Sequence, residues 1–272
     1  MTKVMGILNV TPDSFWDGGK DAKPSQALVR AMALQAQGAD ILDVGAESTK
    51  PGSRPIALAD ERKRLFPVLK KIIPALSIPV SVDTTKSEIA KEALDLGAKI
   101  INDTSALNDP AMACVVAKAK AGIVLVHRKG PSLSMQQKPV YRHCVQEIKE
   151  YLAQRIERAR RAGIPKRNIF IDPGIGFGKS LQHNLEILRD LQAFHSLGCP
   201  VVVGVSRKSF LGALLDAPSE QRLAGSLSAA IVAVLRGASF LRVHDVGETV
   251  HALKVLEALD VLKLNRTVPL SL

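Results

Sequence analysis

Aromatic residues are scarce in this chain: one Trp, two Tyr and seven Phe among 272 residues. Proteins that hold single-stranded nucleic acid stack bases on aromatic rings, so this is a poor platform of that kind. Cysteine is rarer than phenylalanine. Cys114, Cys144 and Cys199 lie far apart with no Cys-x-x-Cys, which points to reduced thiols in a cytosolic protein. No apolar run approaches the ~18 residues of a membrane span. Met1 leads straight into a strand-like run without the apolar core of a signal peptide. The expected location is the cytoplasm, with no membrane partner.

Several catalytic motifs are also missing. There is no His-Glu-x-x-His, and the six histidines are scattered. Gly204-Val205-Ser206 falls short of a nucleophile elbow, because position 208 is Lys where that motif needs Gly. Pro173–Ser180 resembles a phosphate loop, yet three residues rather than four separate Gly174 from Gly178. It does not match the Gly-x-Gly-x-x-Gly of a dinucleotide fold either. These absences remove zinc chemistry and an acyl-enzyme serine from consideration.

Negative charge is in the minority, with 26 acidic residues against 37 basic ones and a net charge of +11. Much of the excess lies in Glu61–Lys71 and Arg155–Arg167, where it alternates with apolar positions at helical spacing. That pattern describes solvated helix faces. No nucleic-acid partner is expected. A basic mouth that attracts an anionic small molecule accounts for the charge better.

What the chain does have is a rhythm. Eight short apolar runs recur: Val4–Leu8, Ile41–Val44, Val80–Val82, Lys99–Ile101, Ile123–Val126, Ile169–Ile171, Val201–Val203 and Phe240–Val243. They are continuous rather than alternating, as parallel strands buried on both faces are. Helical periodicity fills the gaps: Ser25–Gln37, Ala59–Ile73, Ser87–Leu96, Asp109–Lys120, Val145–Ala162, Asn184–Leu197, Leu223–Arg236 and Thr249–Leu259. Ser25, Ser87 and Asp109 suit helix N-caps. Eight strand–helix units in a chain near 250 residues predict an α/β fold, a (β/α)8 TIM barrel. No Pro/Ser/Gly-rich linker interrupts it, so residues 1–272 are expected to form one domain.

Such barrels place their chemistry at the carboxyl ends of the strands. The polar residues after the runs are Asn9, Glu47, Asp83, Asn102, His127, Asp172, Arg207 with Lys208, and His244. Asp83, Asn102 and Asp172 together can read a flat polar ring, since carboxylates accept hydrogen bonds and Asn both donates and accepts. Ser206-Arg207-Lys208-Ser209 and Arg242-Val243-His244 gather cations where barrels often bind phosphate. Two long connections, Asn9 to Lys23 and Gly45 to Pro55, have the length of functional loops.

These blocks resemble dihydropteroate synthase. Gly6-Ile7-Leu8-Asn9-Val10-Thr11-Pro12-Asp13-Ser14-Phe15 with Asp17-Gly18-Gly19 is similar to its first block. Glu47-Ser48-Thr49-Lys50-Pro51-Gly52 is similar to its second loop. Ser81–Asp83, Ile101–Asp103, Asp172–Lys179, Ser206–Phe210 and Arg242–Val246 follow in order over nearly the whole chain.

The resemblance implies a transferase of folate synthesis. It would join 7,8-dihydropterin-6-ylmethyl diphosphate to 4-aminobenzoate and release diphosphate. Asp83, Asn102, Asp172 and Lys208 would hold the pterin. Asn9, Arg242 and His244 would hold the diphosphate, with Mg2+ near Asn9. Thr49, Pro51, Phe177 and Ser209 would border the aminobenzoate, and Lys50 would lie towards the phosphate. Asp17 and its loop would shield the reacting carbon, so Asp83, Lys208 and Asp17 are the catalytic candidates. The resemblance also implies a homodimer and sensitivity to sulfonamides.

Three positions depart from the family pattern: Lys50 stands where Arg is usual, Arg128 where Met is usual, and Trp16 where a small polar residue is commoner. A pterin-dependent methyltransferase of the same superfamily would keep the Asp/Asn/Asp cradle. It would not need the cationic blocks at 206–210 and 242–244. A non-catalytic pterin-binding paralogue is the other alternative.

Overall fold

The computed structural model describes residues 2–10, 24–48 and 52–259. The strands are β1 (Lys3–Asn9), β2 (Ile41–Gly45), β3 (Val80–Asp83), β4 (Ile100–Asp103), β5 (Gly122–Val126), β6 (Ile169–Asp172), β7 (Val202–Val203) and β8 (Phe240–Val243). Each forms on one of the eight apolar runs. All neighbours are parallel, in the order β6-β5-β4-β3-β2-β1-β8-β7. A bridge between Ile171 and Val201 joins the two ends, supported by Ile171 N–H donating 3.0 Å to the Pro200 carbonyl. The sheet is thus a closed barrel.

The helices among the described residues are α1 (Pro24–Ala36), α2 (Leu58–Ile72), α3 (Ser87–Asp95), α4 (Met112–Lys118), α5 (Cys144–Arg161), α6 (Leu181–Arg189), α7 (Ser209–Leu215), α8 (Leu223–Leu235) and α9 (Val246–Ala258). Residues that alternate along the strands divide the core. One set, including Leu42, Val44, Val82, Ile101, Ile171 and Leu241, packs outward with the helices in the larger apolar cluster.

The other set faces the barrel axis. Its lower layer is apolar: Met5, Ile41, Ile100, Val124, Phe170, Val202 and Phe240. Phe170 and Phe240 meet edge to face with centroids 5.3 Å apart. Two residues further along, the same face of four strands carries Asp43, Asn102, Asp172 and Arg242. A strand's side chains repeat with period two, so one step turns the inner wall from apolar to charged. That step separates the packed floor from the site.

Some expectations need correction. Asn184–Leu197 is not one helix. Helix α6 starts three residues earlier, at Leu181, capped by Ser180, whose Oγ accepts from His183 N–H at 3.2 Å. The helix then ends at Arg189, and a 3-10 segment over Leu191–Leu197 follows. The tighter winding sets residues three apart on one side, and here it buries Leu191 and Phe194 together. Ser87 is the first residue of α3 rather than its cap. Its N–H is taken by Asp109 Oδ2 at 2.8 Å, while Asp109 Oδ1 accepts from Ala111 N–H. Asp109 therefore serves two helix starts, and α4 begins only at Met112. Helix α1 starts at Pro24, which suits the first helical position and places Ser25 inside the first turn. Helix α7, seven residues long, was too short to stand out as a periodic segment.

Candidate active site

Arg242, on β8, reaches across the barrel axis. Its Nε donates 2.6 Å to Asp43 Oδ2, and its Nη2 donates 2.8 Å to Asp83 Oδ2. Asp43 Oδ2 also accepts from Asn102 Nδ2 at 3.0 Å. Only the amide nitrogen can donate to a carboxylate, so this contact fixes the Asn102 rotamer and leaves its Oδ1 as an acceptor. That atom, Asp43 Oδ1, Ser81 Oγ and Thr104 Oγ1 are buried without a partner among the described residues. Gly45 makes room for Asp83, since a Cβ at Gly45 would sit 3.3 Å from the Asp83 Cβ. Burial pushes the Asp83 carboxyl up to about 7, against the pull of Arg242. Burial also works against the charge on Arg242, but Asp43 and Asp83 outweigh it and hold the guanidinium above its ordinary value.

Asp172 ends β6 and is buried. Its Oδ1 accepts the Gly174 N–H at 2.6 Å, so one oxygen already holds the following loop. Burial raises its pKa, while Lys208 and that N–H oppose the rise. Residues 173–179 double back tightly. Gly174 and Gly178 have φ of 73° and 66°, a region that non-glycine residues seldom occupy. A Cβ at Gly174 would lie 1.8 Å from the His127 carbonyl oxygen, and one at Gly178 would lie 2.2 Å from that of Lys129. The loop can pass under the β5 rim only because these positions carry no side chain.

Lys208 tucks its ammonium against this loop. It donates to the Ile175 carbonyl and sits 4.3 Å over the Phe177 ring. Burial lowers its pKa to about 8, with Asp172 acting the other way. His244 is held by Ser206: the hydroxyl lies 3.0 Å from Nδ1 and accepts the His244 backbone N–H at 3.2 Å. Asn9 stands half-buried at the end of β1, and Ser209 is exposed at the start of α7.

Arg207 goes elsewhere. It sits at φ 57° and makes a two-pronged contact with Asp245, Nε to Oδ2 at 2.9 Å and Nη2 to Oδ1 at 2.7 Å. Of the adjacent cations, only Lys208 turns towards the barrel mouth. The structure thus brings Asp83, Asn102, Asp172, Lys208, Phe177 and Arg242 to one end of the barrel, with Asn9, His244 and Ser209 on its rim. Asp17, Thr49, Lys50 and Pro51 lie outside the described residues, as does Trp16.

Asp43 and Lys179 are not among the sequence candidates, and Ser206 is there only as part of the cationic block after β7. Asp43 had a visible signal, since an acidic residue inside a buried parallel strand needs a partner. Lys179 is 2% exposed. Its Nζ lies 2.9 Å from His127 Nδ1 and donates to the Phe177 carbonyl at 3.0 Å. Burial lowers it to about 7. Burial and the neighbouring Lys179 disfavour charge on His127, so its ring is neutral. Tyr151 and the His127 ring meet edge to face with centroids 4.9 Å apart. Arg128, next in the chain, turns to Ser132 Oγ at 3.3 Å.

The family described as "Pterin binding enzyme" matches residues 5–244. The dihydropteroate synthase of Escherichia coli K12 is 42% identical over 263 residues, 97% of this chain and 93% of that protein. That of Bacillus subtilis is 40% identical, over 95% of this chain and 88% of its own. The chain belongs to the dihydropteroate synthase family of pterin-binding enzymes. Among solved structures, Yersinia pestis dihydropteroate synthase with a sulfonamide drug superposes with a TM-score of 0.91 at 40% identity, covering 95% of this chain and 94% of the other. The Xanthomonas albilineans enzyme with 4-aminobenzoic acid gives 0.90 at 42%, covering 98% and 94%. The barrel is therefore that of this family.

His127 yields a prediction about pH. Burial and the neighbouring Lys179 lower it from 6.5 to about 2. Below pH 6.5 the unfolded chain binds a proton on His127 that the folded chain refuses. Stability from this residue is therefore full above pH 6.5 and lost as pH falls. The loss is about 1.4 kcal/mol per pH unit. Urea unfolding at pH 7, 6 and 5 should show His127→Asn gaining on the wild type by about that amount between pH 6 and 5. A difference that stays flat with pH would contradict the neutral ring.

Proposed function

We propose that this chain condenses 7,8-dihydropterin-6-ylmethyl diphosphate with 4-aminobenzoate, forming a C–N bond and releasing diphosphate. The observation that carries the reading is the charged inner layer, where Asp43, Asp83, Asn102, Asp172 and Arg242 stand directly above an apolar floor. A pterin has donors and acceptors around a flat ring. The Asn102 Oδ1 and the second Asp172 oxygen are acceptors suited to its amino edge. Lys208, lying over Phe177, supplies a donor to a ring carbonyl or nitrogen.

Diphosphate departure leaves positive charge on the methylene-pterin. Asp83 and Asp172 are placed to stabilise that charge in a site of low polarity. Arg242 gives two of its five N–H donors to Asp43 and Asp83 and keeps three for the departing anion. His244, fixed by Ser206, and Asn9 extend the same rim. The aminobenzoate amine is a sufficient nucleophile towards such a cation, so no activated serine or cysteine is needed. Phe177 and Ser209, with Thr49 and Pro51, would border that second substrate. Lys50 would assist at the phosphate, and Asp17 would shield the reacting carbon from water.

Mg2+ fits this scheme. Among the described residues no three acidic, His or Cys side chains gather to hold a metal. Mg2+ bound to a diphosphate keeps several waters and needs few protein ligands, so one amide oxygen at Asn9 suits it. When bound, the ion would neutralise charge on the leaving group.

A homodimer fits the outer surface. Helix α8 has no charged residue in thirteen, and Val232 on it is exposed together with Leu214 and Leu215 of α7. Exposed apolar side chains on these two helices favour burial against a second copy. Sedimentation should give about twice the 29.2 kDa chain mass, whereas a monomer at micromolar concentration would remove this part. No described helix is long and apolar enough to cross a membrane.

Incubation with both substrates and Mg2+ should yield dihydropteroate and diphosphate in equal amounts; no product from folded protein would refute the reading. Sulfonamides should inhibit competitively against aminobenzoate, and full activity at a large excess of drug would show a different cleft. Asp172→Asn removes a carboxylate assigned to the pterin. A charged hydrogen bond contributes ~1.5–3 kcal/mol, so pterin affinity should fall about tenfold or more in calorimetry. An unchanged dissociation constant would take Asp172 out of the pocket.

A further inference from the structure

The connection between β2 and α2 is tied at both ends by a partly buried chain of ionic contacts. Glu61, in the first turn of α2, is fully buried. Its Oε1 accepts from Thr84 Oγ1 at 2.7 Å, and its Oε2 accepts from Lys86 Nζ at 2.5 Å. The same ammonium donates 2.6 Å to Glu47 Oε2, just after β2. Glu47 Oε2 in turn accepts the Ile56 N–H at 3.4 Å, near the far end of the connection. Thr84 follows Asp83 directly and donates its own N–H to the Asn102 carbonyl at 3.2 Å. One cation thus links the start and end of this connection to the strand that carries Asp83.

We propose that Lys86 is a positioning residue for the second substrate: held between Glu47 and Glu61, its ammonium fixes the ends of the β2–α2 connection against β3, and so governs 4-aminobenzoate binding. The choice of substrate rests on the synthase reading above; the clamp itself does not. Without Lys86, the Glu47 and Glu61 carboxylates would face each other across a partly buried gap with no cation between them. Repulsion would spread the two ends, while Asp83 stays held by Arg242 and the pterin residues on β4 and β6 lie outside the clamp. Burial opposes the charge on Lys86, but its two carboxylates outweigh that and hold the ammonium above its ordinary value.

The test is Lys86→Met, measured beside Lys86→Arg, which keeps the charge. Lys86→Met should raise KM for 4-aminobenzoate about tenfold or more, the factor a charge-assisted hydrogen bond contributes. Its pterin affinity by calorimetry should stay within about twofold, and Lys86→Arg should restore part of the KM. Hydrogen exchange at the Ile56 amide should quicken by a similar factor of about ten in Lys86→Met. If that variant does not fold, Glu47→Gln leaves the Lys86–Glu61 pair intact and should shift the same two readouts in the same direction. An aminobenzoate KM and an Ile56 exchange rate both equal to wild type would overturn the proposal, as would equal losses of pterin and aminobenzoate binding. A wild type that makes no dihydropteroate would refute the synthase reading alone, with Ile56 exchange still deciding the clamp.

Discussion

The structure turns on one guanidinium. Arg242 lies between Asp43 and Asp83 in the middle of the barrel, where an unpaired charge would be costly. Two carboxylates can share this space because a cation stands between them. Asn102 is oriented by Asp43, and Asp83 is held by Arg242, so the residues that would meet the pterin depend on that pairing. The apolar floor beneath excludes water and strengthens every interaction above it.

The same strands serve both layers, which separates folding from chemistry without extra elements. Met5, Phe170 and Phe240 fill the floor, and the next inward positions carry charge. The glycine-rich turn after β6 then packs against the β5 rim, with Lys179 buried beneath it against His127. That lysine is not poised for substrate. It donates to the Phe177 carbonyl of the turn and to the His127 carbonyl at the β5 rim, and so ties the two together.

Much of this was legible in the sequence, for a physical reason. Parallel strands buried on both faces read as apolar runs, and the residues after them must lie at the carboxyl end. Asp83, Asn102, Asp172 and Lys208 were therefore recoverable one by one. Their partners were not: Arg242 meets Asp43 and Asp83 across 199 and 159 residues of chain, a separation that no local pattern encodes. Asp43, acidic inside an apolar run, signals a buried partner without saying which. Arg207 and Lys208 look alike as neighbours in sequence, and only the left-handed backbone at 207, braced by Ser226 and Asp245, sends one outward and the other inward. The break after Arg189 carries no Gly or Pro; burial of Leu191 and Phe194 decides it.

Asp43, by holding the Arg242 guanidinium, would act on the reaction through it. A double-mutant cycle on kcat/KM with Asp43→Asn and Arg242→Lys tests it most directly. If Asp43 works by holding the guanidinium, the second substitution should add little once the first is made. The coupling energy should then be at least about 1 kcal/mol. Effects that add to within about 0.5 kcal/mol would mean that the two residues act independently, and the buried pair would not be the organising interaction of this site.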